Sequence, residues 1–166
     1  MRLAKPSLAA LLAAGLAAGS VARADNIAAA SEEDGKFLTD EGVPTFNVAE
    51  DGTVDWYTFS GFRRYHSECH VCHGPDGQGS SYAPGIAKSV VMLDYYDFVD
   101  IVVNGRINGN NVMPSLGTNL NVMCYLDDIY VYLKAVGSET IPRGRPPKRA
   151  DKPESYAEAE NACMGD

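Results

Sequence analysis

Cys69-His70-Val71-Cys72-His73 is the stretch that decides the fold, and it lies within residues 61–77 between a predicted helix and a Gly-Pro-Asp-Gly turn. Two cysteines three positions apart at a helix end can each form a thioether to a haem vinyl group. The adjacent histidine then lies below the iron and ligates it through an imidazole nitrogen, which makes C-x-x-C-H the attachment signature of c-type haem. Two other chemistries share the cysteine spacing. A redox C-x-x-C pair does not require the following histidine, and half of a zinc site needs two more ligands, for which His66 with His70 or Cys124 are the candidates.

Outward from the motif, three segments have helical periodicity. About Asp55 to Cys69 places Phe59, Phe62 and His66 or Tyr65 on one side. About Asp94 to Val103 carries Tyr95, Phe98, Val99 and Val102, and Asn104-Gly105 ends it. About Leu126 to Val136 carries Leu126, Ile129, Tyr130, Leu133 and Val136, with Asp127 and Asp128 in its first turn and Gly137 after it. Gly- and Pro-rich loops, Gly74 to Gly85 and Asn104 to Leu120, lie between them. Strand signal is slight, apart from a small hairpin predicted over Thr45 to Val54. The reading is an all-α protein whose three main helices need something large at their centre.

The amino end reads as an address. Arg2 and Lys5 precede fifteen uncharged residues, Ser7 to Val21, and then Ala22-Arg23-Ala24, which is the layout of a secretory signal peptide cleaved after Ala24. The apolar run is short of the roughly 20 residues a bilayer span needs, and no later segment is long enough, so no membrane span is expected. Export places the protein in the periplasm, where disulfides persist. The 166 residues carry 14 basic and 22 acidic side chains, net −8; without residues 1–24, 142 remain with 11 basic and 22 acidic, net −11. That acidity argues against a nucleic-acid partner. It is concentrated in residues 25–60, with nine acids and one base. The boundaries are therefore a signal peptide 1–24, an acidic, loosely docked extension 25–54, a haem domain 55–137, and a Pro-rich extension 138–166 without regular structure. In that last segment Arg143, Arg145, Lys148, Arg149 and Lys152 are bunched beside prolines.

The second axial ligand is expected to be Met113, a loop methionine held by Pro114, 40 residues after His73. Met92 and Met123 are the alternatives, along with His66 and His70, but both methionines read as core or helix-flank residues. A ligating histidine donates its other N–H to an acceptor, and the carbonyl of Pro84 is the candidate. Arg106, after the Asn104-Gly105 turn, either meets a haem propionate or is an exposed loop cation.

From about Asp55 to Val136 the chain resembles the class I cytochromes c, on Cys69–His73, the Gly74–Pro84 loop, Asn104-Gly105-Arg106, Met113-Pro114 and the 128–134 run Asp-Ile-Tyr-Val-Tyr-Leu-Lys. The resemblance implies one covalent haem c, and a crossing of the first and last helices at a small residue, Gly61, against aromatics such as Tyr132. Ala83-Pro84 departs from the Gly-Pro of many relatives. With Cys69 and Cys72 consumed by haem, Cys124 and Cys163 are expected to pair in an oxidising compartment, two free thiols being the alternative. A bridge closing about 40 residues contributes roughly 4 kcal/mol by loop entropy.

That four-cysteine pattern, with residues 61–77, also resembles the c-type cytochromes of methanol metabolism in methylotrophic bacteria. This second resemblance implies a one-electron carrier, and a monomer is expected. Its donor would be a quinoprotein methanol or alcohol dehydrogenase, particularly the lanthanide-dependent kind, and its acceptor another cytochrome or an oxidase. An iron held by His73 and Met113 has no open position, which argues for electron transfer over catalysis. The competing readings are a general respiratory shuttle, a peroxidase with an open site, and a gas sensor with a labile Met113. A docking face for the carrier would include Ala83, Gly85, Val112, Ser115 and Leu116.

Overall fold

The computed structural model describes residues 28–165; the signal peptide reading falls outside them. Three short strands come first: β1 (Ser31–Glu33), β2 (Lys36–Leu38) and β3 (Pro44–Thr45), an antiparallel sheet in that order. The Thr45 to Val54 hairpin is present only as a turn at Ala49–Gly52 with one antiparallel bridge, Val48 to Val54. The acidic extension is not a loose arm. Pro44, Thr45 and Phe46 are buried, and Lys36 Nζ lies 2.6 Å from Asp127 Oδ2. Paired strands of two or three residues leave almost no alternation to read, which is why this sheet is not visible in the sequence.

Helix α1 (Trp56–Glu68) begins where the buried Asp55 caps it. The Asp55 carboxylate accepts from Thr58 N at 2.8 Å, Thr58 Oγ1 at 2.7 Å and Asn47 N at 2.8 Å, satisfying donors that a helix start leaves open. The short helix α2 (His70–His73) and a single 3₁₀ turn, Pro75–Gly77, follow. Helices α3 (Ala87–Met92) and α4 (Tyr95–Asn104) lead to a hairpin of β4 (Arg106–Asn108) and β5 (Asn111–Met113). Helices α5 (Leu120–Met123), α6 (Leu126–Gly137) and α7 (Glu154–Met164) complete the chain. Cys124 closes α5.

The core is the crossing of α1 and α6, with α3 also packed on α6. Phe59, Tyr65, Ile129, Tyr130, Tyr132 and Leu133 are buried there. A Cβ on Gly61 would lie 1.8 Å from the Asp128 carbonyl oxygen and 2.7 Å from Tyr132 Cβ. Only glycine permits this approach of the two backbones.

The Pro-rich extension is structured, contrary to the sequence reading. Residues 142–153 form a strap along the start of α1: Val54 N donates to Lys148 O at 3.2 Å and Ala150 N to Val54 O at 2.8 Å, with the Arg149 guanidinium 4.8 Å from the Trp56 ring centre. The strap leads into α7, an Ala- and Glu-rich helix following Pro153. Cys163 on α7 is disulfide-bonded to Cys124 across 39 residues. Tyr156 joins α7 to the core, bonding Ser60 Oγ at 2.7 Å and donating to Asp128 Oδ2 at 2.6 Å. Arg64 faces the same helix: it stacks 3.5 Å from the Tyr125 ring centre and pairs with Glu160 at 3.3 Å.

Candidate functional site

The C-x-x-C-H motif occupies the bend between α1 and α2. Cys69 ends α1, its N–H bonded to Tyr65 O at 2.9 Å, and its own carbonyl accepts from Cys72 N at 3.2 Å and His73 N at 2.9 Å. One tight turn therefore holds all three functional side chains. Cys69 is half-buried, Cys72 exposed and His73 buried. Gly74 turns the chain away at φ +71°, where a Cβ would lie 2.1 Å from Gly79 O.

The loop after it is folded back by its own backbone. Tyr65 Oη donates to Gly74 O at 2.7 Å, Gly79 N to His73 O at 2.7 Å, Ser80 N to Ala83 O at 2.9 Å and Ile86 N to Gly77 O at 2.8 Å; Ser80 Oγ donates to Cys72 O. These bonds bring the Pro84 carbonyl oxygen to 2.9 Å from His73 Nδ1. A carbonyl can only accept, so Nδ1 carries a proton and Nε2 is the nitrogen left free to ligate. That is the tautomer of a metal-ligating histidine oriented by a backbone acceptor.

Met113 closes β5, opposite Arg106 of β4. It is half-buried, and the segment after it is tied to the end of α4: Ser115 Oγ donates to Val103 O at 2.5 Å, Leu116 N to Val102 O at 3.0 Å and Gly117 N to Val103 O at 3.1 Å. The Met113 backbone is thus part of a hairpin and not a free loop. Met92 is 62% exposed on α3, and Met123 lies on α5 beside Tyr57 and Tyr156. Arg106 is exposed.

The alternative chemistries fit these residues less well. Burial, helped by neighbouring Glu68 and Cys72, pushes the Cys69 thiol up to about 12, and a redox pair has no need of the histidine that follows. His66 is committed elsewhere, with Nδ1 2.8 Å from Phe62 O and Nε2 3.4 Å from Asp76 Oδ1. Among the described residues, no three His, Cys, Asp or Glu side chains are placed to hold a metal ion. A haem suits the donor set: two thiols for the vinyl groups, an imidazole nitrogen with a fixed lone pair, and a thioether. Four of the seven large apolar side chains that are exposed among the described residues lie on the C-x-x-C-H turn, the loop after it and the Met113 hairpin. They are Val71, Tyr82, Ile107 and Val112, apolar surface of the kind that a large planar group or a partner covers.

Sequence reasoning missed Asp76 and the Tyr65 hydroxyl. Pro75-Asp76-Gly77 carries the residue types of a tight turn, which was the available signal for Asp76. The tyrosine has no local signal, since its acceptor lies nine residues on, beyond the bend.

No protein-family model matches the chain. It is 55% identical over 136 residues to cytochrome c-553I of Paracoccus denitrificans, an alignment covering 80% of this chain and 60% of that protein. The chain therefore spans about 60% of the length of that relative. It is 36% identical over 92 residues to cytochrome c-555 of Methylococcus capsulatus (strain ATCC 33009 / NCIMB 11132 / Bath), covering 55% of this chain and 72% of that protein. Among solved structures, it is similar to the c-type cytochrome XoxG from Methylobacterium extorquens AM1, with a TM-score of 0.78 and 52% identity over 81% of this chain and 85% of that one.

Proposed function

The chain belongs to the class I c-type cytochromes and carries covalent haem c, and from that premise we propose that it is a periplasmic one-electron carrier. It takes electrons singly from a quinoprotein methanol or alcohol dehydrogenase and passes them to a further cytochrome or an oxidase. Cys69 and Cys72 would hold the haem through thioethers, and His73 and Met113 would ligate the iron. Haem c, once bound, supplies a ferric/ferrous couple whose potential a methionine ligand raises.

The observation that carries this reading is the fixed imidazole of His73, with Nδ1 bonded at 2.9 Å to Pro84 O and Nε2 left as the only donor atom of the ring. With Met113 on a hairpin tied to α4, the two side chains that would hold the iron both sit on constrained backbone. A saturated iron exchanges electrons but does not bind substrate, which favours a carrier over a peroxidase or a gas sensor. Similarity to XoxG, and to a Methylococcus cytochrome, supports the methylotrophic setting.

Two measurements test it. The ferric protein is expected to show the far-red charge-transfer band of methionine ligation, and Met113→Ala to lose it with a fall in midpoint potential. High-spin, five-coordinate iron in the unaltered protein overturns the carrier. In stopped-flow experiments against a panel of reduced donors, a quinoprotein alcohol dehydrogenase should reduce the protein fastest. Fast reduction by a respiratory complex alone makes it a general respiratory shuttle instead.

A further inference from the structure

Asp76 lies three residues after His73, in the Pro75–Gly77 turn, at φ +54° and 4% exposed. Asp and Asn are among the few side-chain-bearing residues that tolerate this conformation. Its carboxylate collects contacts from three separate parts of the chain. Tyr132 Oη on α6 donates to Oδ1 at 2.8 Å, and His66 Nε2 on α1 lies 3.4 Å from the same oxygen. From the strap, Gly144 N donates to Oδ1 at 3.1 Å and Arg143 Nε to Oδ2 at 3.4 Å. Burial raises the carboxyl, but Tyr132, the Gly144 amide, His66 and Arg143 together outweigh it and hold the group below its ordinary value. Asp76 is thus a buried, ionised carboxylate.

Its backbone belongs to the segment that joins His73 to Pro84. Asp76 O accepts from Gln78 Nε2 at 3.1 Å, and Gly77 O, next along, accepts from Ile86 N at 2.8 Å. The strap therefore reaches the loop that orients His73, and it does so through one side chain.

We propose that Asp76 is the positioning and charge-bearing residue through which the C-terminal strap tunes His73, and that its carboxylate lowers the reduction potential of the site. A fixed negative charge in a poorly polarisable interior favours the oxidation state with one more positive charge. Charge near a haem and its burial are among the levers by which a protein sets potential. Arg143 opposes Asp76, but it is 61% exposed and screened by solvent, so its own effect is the smaller. The inference rests on His73 being an axial ligand.

Midpoint potentials of the holoprotein, its Asp76→Asn variant and its Arg143→Gln variant test it, each with a visible spectrum. Asparagine keeps an acceptor oxygen for Tyr132 and Gly144 and tolerates the same backbone, so what is removed is the charge with the Arg143 contact that it draws. Asp76→Asn should shift the potential upward, and Arg143→Gln should shift it downward by less, with the low-spin spectrum unchanged in both. A purely structural contact would move both variants the same way, or neither. An unshifted or lowered potential in Asp76→Asn with an intact spectrum overturns the proposal. Arg143→Gln changes an exposed side chain and tests it separately if Asp76→Asn fails to hold haem; an unshifted or raised potential there overturns it too. If His73 is not a ligand, His73→Ala leaves the spectrum unchanged, an outcome distinct from any potential shift.

Discussion

Asp128 is 3% exposed, with Tyr156 Oη donating to it at 2.6 Å and its neighbour Asp127 taking the nearest cation, Lys36. Burial pushes its carboxyl up to about 7 from the ordinary 3.8, against the lowering effect of Ser60 and Tyr156. The folded chain then keeps a proton that the unfolded chain releases, so stability falls as pH rises from the ordinary value through about 7, and the cost is complete above it. Each unit of such a shift corresponds to ~1.4 kcal/mol. Asp128→Asn should be more stable than the parent at pH 8 and differ little at pH 4; urea midpoints at both values check this, and an equal pH dependence in the two proteins refutes it. Neither Asp128 nor Asp76 is legible in the sequence as more than a helix-start acid and a turn acid. Their chemistry comes from Tyr156, 28 residues on, and from Tyr132 and Gly144, 56 and 68 residues on. Cys69, Cys72 and His73 are legible because their function is written in local spacing.

At the level of elements, helices α1, α4 and α6 announce themselves because each buries a stripe at helical spacing. Helix α7 does not. Only Tyr156 is buried on it, and the proline-rich strap beside it masks its Ala and Glu content. Three attachments hold it: the Cys124–Cys163 bridge, Tyr156 with Ser60 and Asp128, and Glu160 with Arg64 and Tyr125. Cys163→Ser opens a 39-residue loop, for which chain entropy gives a loss of about 4 kcal/mol. The expected result is a lower urea midpoint and faster amide exchange over 154–164, with the haem spectrum unaltered. Unchanged exchange in α7 would mean that Tyr156 and the Glu160 contacts suffice to dock it.

For the whole molecule, charge is distributed so that the termini brace the haem domain. The bunched bases of the strap are spent largely within the chain: Lys148 on Asp51, Arg143 on Asp76 and Lys152 on Glu160. The chain is net −8, and would be −11 without residues 1–24, so a donor presenting a cationic face should be steered to it. Its reduction should slow as salt rises from roughly 10 mM to 0.15 M, where the Debye length falls from about 30 to 8 Å. A rate that is indifferent to salt, measured by stopped flow, removes charge steering from the encounter. The sequence by itself determined the cofactor chemistry and the three main helices. Each of these is encoded by residues a few positions apart, or by a spacing that repeats along one helix. Only the tertiary structure decided that the acidic segment is a docked sheet, that the tail ends in a helix, and that Asp76 joins the strap to the histidine loop. Those features depend on side chains far apart in sequence, whose meeting is fixed by the packing of α1 on α6 and not by any local pattern.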